Sequence, residues 1–426
     1  MFRKFIQAFK IREIRNKIIF VLGIFAIFRI MANIPIPGVS GENLKAFFGQ
    51  FQVFSLMNVF TGGALDKLSI VMLGIGPYIT ATIILQLLTM IFPRLEQLYK
   101  EEGEAGREKF NQYGRILTAP LAILQGYAML VLFQRQQVIG TLSPFLLITS
   151  ILTIAAGALF LMWLGELISE KGIGDGISLL IFAGIIADFP TNVRSMIMTA
   201  QLQTTPVYSY LLFFGMALFI LASVVLINEA RRNIPVSYAK RVRGNKMYGG
   251  ASTYLPLNIN PAGVMPIIFA LSILTFPGMV ANFLVGFGGL TGRIAQGIVT
   301  FLENPLSHGI LYFFLVFVFT FFYTAVTFDP KNISENLQKT GGFIPGIRPG
   351  TPTAGFLSHV LNHLLPFGAL FLGIIAVMPT IVGRITKVAA FNFLVGGTSL
   401  LILVSVILET VRQIEAQIEM REYENF

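Results

Sequence analysis

The chain has no cysteine in its 426 residues. That excludes disulfides, thiolate-bound metals, iron–sulfur clusters and cysteine nucleophiles. Histidine is nearly as scarce. His308, His359 and His363 are the only three, too few for a histidine-rich metal centre or proton relay. Charge is the third shortage. Charged residues make up 12% of the chain, against roughly 25% in soluble domains. The hydrophobic share is 54% and the mean hydropathy is +0.74. With 31 basic and 21 acidic side chains, the water-exposed surface of a soluble multidomain enzyme could not be covered. High apolar content and small net charge per residue exclude disorder. No GxxxxGK[ST] occurs either, so any work the protein performs must draw its free energy from a partner. What remains is a polytopic membrane protein.

A helix needs about 20 mostly apolar residues to cross the hydrocarbon. The cleanest run is Gly309 to Phe328, GILYFFLVFVFTFFYTAVTF, without a charge in it. Others lie at 18–34, 72–92, 116–134, 145–167, 175–190, 207–228, 262–285, 362–382 and 391–410. Ten spans are therefore predicted. The fifth, IGDGISLLIFAGIIADF, is short and glycine-rich. The first ends in IPIPGV, not in a small-residue cleavage site, and nine more follow, which argues against a signal peptide. Ahead of it, residues 1–17 form a basic segment in which Phe2, Phe5, Ile6 and Phe9 fall near one helical face. This suits a surface-lying amphipathic helix; the alternative is a solvated basic tail.

Of the 31 basic residues, 23 fall on one side of these spans and 7 on the other, with Arg29 inside the first. By the positive-inside rule both termini, including the tail 411–426, are cytoplasmic. The net charge of +10 is therefore topological information. Two cytoplasmic loops, 229–258 and 329–358, are long, polar and rich in Arg, Lys, Gly and Pro. Loops of that length are functional or disordered. RRNIPVSYAKRVRGNK has six basic residues and no acid. It suits an anionic partner such as a lipid headgroup, RNA or an acidic protein face, or else serves only to set topology.

Ionisable residues are nearly missing from the spans. Arg29 lies towards an outer end and can snorkel, and Glu166 and Glu229 lie at cytoplasmic ends. An ion-coupled transporter usually needs ionisable groups near the midplane. His359 and His363 have chelating i, i+4 spacing but no evident third ligand, so no metal or other cofactor is expected, and no catalytic residue stands out. The breakers are more informative. VFSLMNVFTGGALDKLSIVMLGIGPYI is apolar, yet Gly62-Gly63, Asp66-Lys67 and Gly74, Gly76 and Pro77 interrupt it. A short helix, a break and then a spanning helix are expected there. Irregular backbone at membrane depth is tolerated only when it lines a cavity or is buried in protein. Asn260-Pro261 and Pro266 open the seventh span similarly. The second and seventh spans hold corresponding places in two halves of five, and five being odd, a duplicated half would be inverted.

Nine motifs carry a resemblance over essentially the whole chain: IPIPG, MNVFTGGAL, LGIGPYITATIILQLL, EEGEAGREKFNQY, MWLGELISEKGIGDGIS, RRNIPVSYAKR, LPLNINPAGVMPIIFA, GGFIPGIRPGTPT and GGTSLLI. In this order and spacing the chain resembles the SecY family, channel subunits of the bacterial Sec translocon. The resemblance implies an all-α polytopic fold of ten transmembrane helices in two pseudo-symmetric inverted halves. Spans 1–5 (residues 18–190) would close like a clamshell on spans 6–10 (residues 207–410) around a central pore. The pore ring would be Ile75, Ile79, Ile177, Ile181, Ile268 and Ile402. Stiff β-branched side chains can seal around a moving chain, and a narrow apolar constriction dewets. Residues 54–69 would be the plug, with Asn58, Phe60, Gly62 and Gly63 matching the family pattern. Thr80 and Phe276 would face the lateral gate between spans two and seven. Arg241, Arg243, Lys246 and Arg348 would dock cytosolic partners.

The implied function is passage of unfolded preproteins across the bacterial cytoplasmic membrane, with lateral release of transmembrane segments into lipid. The implied partners are SecE, SecG, the motor ATPase SecA, the ribosome and signal-bearing polypeptides. The chain would not itself be an enzyme. GDG, through Asp175, stands where the family has GNG. The alternative reading is an inverted-repeat secondary transporter of a small solute.

Overall fold

The structure, a computed structural model, describes residues 11–36, 58, 61–100, 102–201, 207–238, 241–243, 246–248, 252–285, 289–386 and 397–424. The predicted amphipathic face at Phe2, Phe5, Ile6 and Phe9, and Phe60 of the predicted plug, lie outside these residues. In chain order α1 (Arg12–Ala32) is followed by successive turns over 61–75. Then come α2 (Gly76–Ile91), α3 (Pro93–Lys100), α4 (Gly103–Arg135), α5 (Pro144–Lys171), α6 (Gly176–Gln201) and α7 (Val207–Glu229). The strands β1 (Arg231–Tyr238), β2 (Arg241–Arg243), β3 (Lys246–Tyr248) and β4 (Ser252–Asn258) precede α8 (Met265–Val285), α9 (Gly289–Glu303), α10 (Pro305–Thr327) and α11 (Pro330–Lys339). β5 (Gly342–Phe343), α12 (Thr351–Thr386) and α13 (Gly397–Glu424) complete the order.

The caps explain several starts. Ser143 accepts the Leu146 N–H at 3.3 Å ahead of Pro144 in α5. Asn304 accepts that of Leu306 at 3.0 Å ahead of Pro305 in α10, and Asp329 does the same ahead of Pro330 in α11. A capping acceptor followed by proline at the first helical position satisfies or removes N–H groups that would otherwise be orphaned.

Each of the ten apolar runs overlaps a helix. Among the described residues α4, α5, α12 and the run beginning at Leu306 are long and apolar enough to cross a membrane alone. The pair Gly76–Ile91 and Pro93–Tyr99 passes together, bent by 115°, and shorter apolar helices lie within α6, α7 and α8. The helices outrun the hydropathy. α4 begins at Gly103, α12 at Thr351, and α13 continues to Glu424. Backbone hydrogen bonding continues past the hydrocarbon, whereas apolarity marks only the part within it.

The predicted second span differs at its start. Helix begins at Gly76, not at 72, with Pro77 in its first turn. Residues 61–65, 68, 69 and 71–75 ahead of it are buried. Leu65, Leu68, Met72 and Leu73 pack with Ile36, Met129, Leu130, Phe133 and Ile154 in one apolar cluster. A plug that moves aside cannot be deeply packed, and within 54–69 the part from Leu65 onwards is core, its apolar side chains enclosed between α4 and α5. The turns are held by Ile36 N–H to the Leu68 carbonyl at 2.9 Å and Ile70 N–H to the Ile34 carbonyl at 3.0 Å. The packing is tight enough that a Cβ on Gly157 of α5 would collide with the Ile70 carbonyl oxygen. Gly157→Ala is therefore expected to destabilise the fold by on the order of 2 kcal/mol, as overpacking against backbone does. Thermal unfolding of the purified protein checks this, with Gly23→Ala as control because nothing lies within 4 Å of a Cβ there.

The two long loops are not independent. β4, β1 and β5 form one antiparallel sheet, with Ile234 opposite Leu255 and Ser237 opposite Phe343. β1 alternates so that Ile234 and Val236 point inwards, onto Leu257, Ile344, Leu357 and Val360. Period-2 burial of this kind is what fixes register. A small sheet and its own apolar core thus join two segments about a hundred residues apart, a departure from a purely α-helical chain.

Candidate functional site

The largest apolar cluster draws side chains from α1, α2, α5, α6, α7, α8, α10, α12 and α13. All six predicted ring isoleucines belong to it. Ile75 caps α2 and Ile79 follows one turn later. Ile177 and Ile181 occupy the first turns of α6, Ile268 the first turn of α8, and Ile402 the start of α13. Ile75, Ile181, Ile268 and Ile402 are buried, while Ile79 and Ile177 are partly buried against the same cluster. Ala64 and Val71, from the turns before α2, pack in it as well.

Asn58, Gly62 and Gly63 of the predicted plug are linked in a compact turn. The Asn58 carbonyl accepts the Thr61 hydroxyl and the Gly63 N–H, each at 3.0 Å, and its Oδ1 accepts the Asp66 N–H at 3.0 Å. Gly62 and Gly63 have φ of 66° and 74°, a region favouring glycine. Gly62 also lies so close to α6 that a Cβ on it would sit 2.6 Å from the Gly184 Cα.

Polar groups from two other helices meet this turn. Arg29 Nη1 of α1 donates to the Gly62 carbonyl at 2.6 Å. Asn33 donates to the Arg29 carbonyl at 2.6 Å and accepts from Lys67. Asp188 of α6 is so near that a Cβ on Gly63 would sit 2.7 Å from its Oδ1, and its charge interacts with Arg29, Asp66 and Lys67. Asn33, Gly184 and Asp188 were missed in the sequence. The one available signal was an acid near the end of an otherwise apolar run, beside Pro190.

At the predicted gate, α2 and α8 pack together. Thr80 donates to the Gly76 carbonyl at 2.9 Å and accepts from Gln125 of α4 at 3.4 Å, so its hydroxyl is engaged with α4. Phe276 lies on α8, its side chain outside the described part. His359 and His363 are exposed with ring centroids 4.3 Å apart. Among the described residues no group of three or more His, Asp or Glu could hold a metal.

Three of the predicted docking residues lie on a second, two-stranded sheet of β2 and β3, separate from the β4-β1-β5 sheet. Arg241 and Arg243 lie on β2 and Lys246 on β3, with Arg243 opposite Lys246; their side chains are outside the described part. Arg348 is exposed in the turn between β5 and α12. That turn is braced: Thr353 donates to the Arg348 carbonyl at 2.8 Å, and Ser334 to the Gly350 carbonyl at 2.6 Å. Arg115 of α4 pairs with Glu166 of α5 at 2.6 Å, and Arg412 of α13 with Glu229 of α7 at 2.7 Å.

The family model for SecY matches residues 69–411. The chain is 45% identical over 443 residues to the protein translocase subunit SecY of Streptomyces galbus, and 44% identical over 445 residues to that of Streptomyces coelicolor, covering 100% of both chains in each case. Among solved structures it is similar to one described as the structure of a protein conducting channel, with TM-score 0.69, 21% identity, and coverage of 93% of this chain and 91% of that one. A second is described as showing that the plug domain of SecY stabilises the closed state and maintains a membrane seal, with TM-score 0.67 and 21% identity. A third is Sec61 in the canine ribosome–channel complex from the endoplasmic reticulum, with TM-score 0.67 and 20% identity. Both cover 93% of this chain and 91% of the other.

Proposed function

The chain belongs to the SecY family, and from that premise we propose that it is the pore-forming subunit of a protein translocase, passing unfolded preproteins across the bacterial cytoplasmic membrane. Transmembrane segments leave sideways through the α2–α8 seam, beside Thr80 and Phe276. Residues 18–190 form one half of the clamshell and 207–410 the other, with the basic face and both termini cytoplasmic. The observation carrying this reading is that isoleucines from four separate helices share one apolar cluster with the turns that precede α2. Such a ring presents no polar group to hold a passing chain and excludes water when closed. Ile75, Ile79, Ile177, Ile181, Ile268 and Ile402 are its members.

The plug is seated by Arg29 and by the contact of Gly62 with α6. Because the stretch from Leu65 is core, the movable part ends at the Gly62-Gly63 turn. Work is done by partners, SecA or the ribosome, which dock on the β2-β3 hairpin of Arg241, Arg243 and Lys246 and on the turn of Arg348. Basic charge serves both, since phosphate contacts need no sequence readout. SecE and SecG complete the complex. The chain itself catalyses no reaction and needs no cofactor.

Reconstituted with SecE and SecG, the chain is expected to move a signal-bearing precursor into proteoliposomes with SecA and ATP. Solute uptake under an ion gradient, with no precursor movement, would overturn this reading. Arg348→Glu is expected to slow SecA-driven transport about tenfold, the effect of reversing one charge at a docking surface, with the complex still assembled on size exclusion. Transport at the parent rate would remove Arg348 from the dock.

A further inference from the structure

A cavity of about 490 Å³ opens where α6, α7, α8, α10 and α13 meet, lined among others by Asp175, Asn228, Asn260, Tyr323, Glu409 and Arg412. It adjoins the isoleucine cluster on the side of the basic face. Asp175 lies two residues before Ile177, Asn260 ends the approach to the helix carrying Ile268, and Glu409 lies two turns beyond Ile402. The backbone also brings α6 and α13 together here, since a Cβ on Gly174 would sit 3.4 Å from the Thr410 hydroxyl.

The charges do not balance. Arg412, in the lining itself, is already occupied, donating to Glu229 at 2.7 Å and to the Asn228 carbonyl at 3.1 Å. Asp175 Oδ2 accepts the N–H of Ser178 at 3.0 Å and its hydroxyl at 2.6 Å. Glu409 feels the charges of Asp175 and Arg412, yet among the described residues neither carboxylate makes an ion pair within 4 Å. Asn260 adds a second, independent sign of an unmet ligand. It is 6% exposed, its Nδ2 donates to the Gly263 carbonyl at 2.9 Å, and its buried Oδ1 has no hydrogen-bond partner. Two carboxylates and an unmatched amide oxygen ask for a donor with positive charge. No three-ligand metal cluster exists among the described residues. The volume falls in the range of about 300–1,000 Å³ that accommodates whole organic groups, and Tyr323 supplies an aromatic wall for a guanidinium or ammonium.

We infer that this cavity is a binding site for a lysine or arginine side chain of the client polypeptide, holding a basic residue beside an apolar client segment as that segment meets the isoleucine ring. The inference rests on the proposed channel function. Within a face otherwise rich in positive charge, the cavity gives a client cation a compensated place next to the pore.

The test uses the full complex with SecA and ATP and two precursors. They differ only in whether lysines and arginines, or glutamines, precede the apolar signal stretch. Asp175→Asn combined with Glu409→Gln is expected to slow the basic precursor roughly threefold, as loss of partly exposed ion pairs does. The glutamine precursor is expected to keep its rate. Asn retains the helix-capping role of Asp175, and Glu409→Gln alone, a milder change, is expected to give the same pattern at smaller amplitude. Equal slowing of both precursors, or none of the basic one, would overturn the inference while leaving the channel function standing. If the parent complex moves neither precursor, the channel function fails and the inference with it.

Discussion

Gly62→Val is expected to leave the channel conducting ions with no client present. Gly62 has φ of 66°, and a Cβ there would lie 2.6 Å from a backbone atom of Gly184, which has no flexible side chain to move aside. A β-branched residue in the left-handed region costs about 1–3 kcal/mol, and overpacking against backbone costs about as much again. A total near 3 kcal/mol raises the unseated fraction of the plug by on the order of a hundredfold. Leak should rise with that fraction until the isoleucine ring becomes limiting. The same change moves the Gly62 carbonyl away from Arg29, so both restraints weaken together. Conductance of the reconstituted complex in planar bilayers measures the effect, with Gly23→Val as control. A parent-like conductance from a protein of parent-like thermal stability would show that this turn seals nothing.

Replacing Ile79 and Ile402 together by glycine is the second large effect. The two side chains come from helices that are distant in sequence and share one cluster, Ile402 fully buried and Ile79 at its partly buried margin. Removing them widens and wets an apolar constriction, and a dewetted gate opens steeply once water can fill it. Closed-state leak is expected to rise roughly tenfold, and further when combined with Gly62→Val, since plug and ring act in series. Each substitution also costs about 3–5 kcal/mol in lost packing and helix propensity. The matched control is therefore Ile116→Gly, on the outside of α4 and 70% exposed, which should leave conductance unchanged. An unchanged leak in the double variant, with the protein still folded, would place these isoleucines outside the constriction.

Much of this was legible in the residues. The apolar runs located the helices because burying backbone in hydrocarbon leaves few alternatives to helix. Gly62-Gly63 and Pro77 announced a broken approach to α2. The isoleucines, though, were singled out by resemblance, since an isoleucine in an apolar span looks the same whether it faces lipid, core or pore. Asp188 escaped notice because its importance comes from Gly63 and Arg29, which are far away in sequence. The joining of the loops by β1 and β5 was likewise invisible, since β5 is two residues long and two residues carry no period. The deep packing of Leu65 and Leu68 was not legible either, because apolarity shows which residues seek burial and not which partners enclose them.

By itself the sequence determined that this is a membrane protein without thiol chemistry, where its helices lie, and between which of them its positive charge collects. Those properties follow from composition and local order, which act on each segment separately. The tertiary structure decided which isoleucines share a cluster, which groups hold the Gly62 turn, and that Asp175, Glu409 and Asn260, whose buried Oδ1 is unmatched, line one cavity. These depend on contacts between segments tens to hundreds of residues apart, whose geometry is set only when the helices pack.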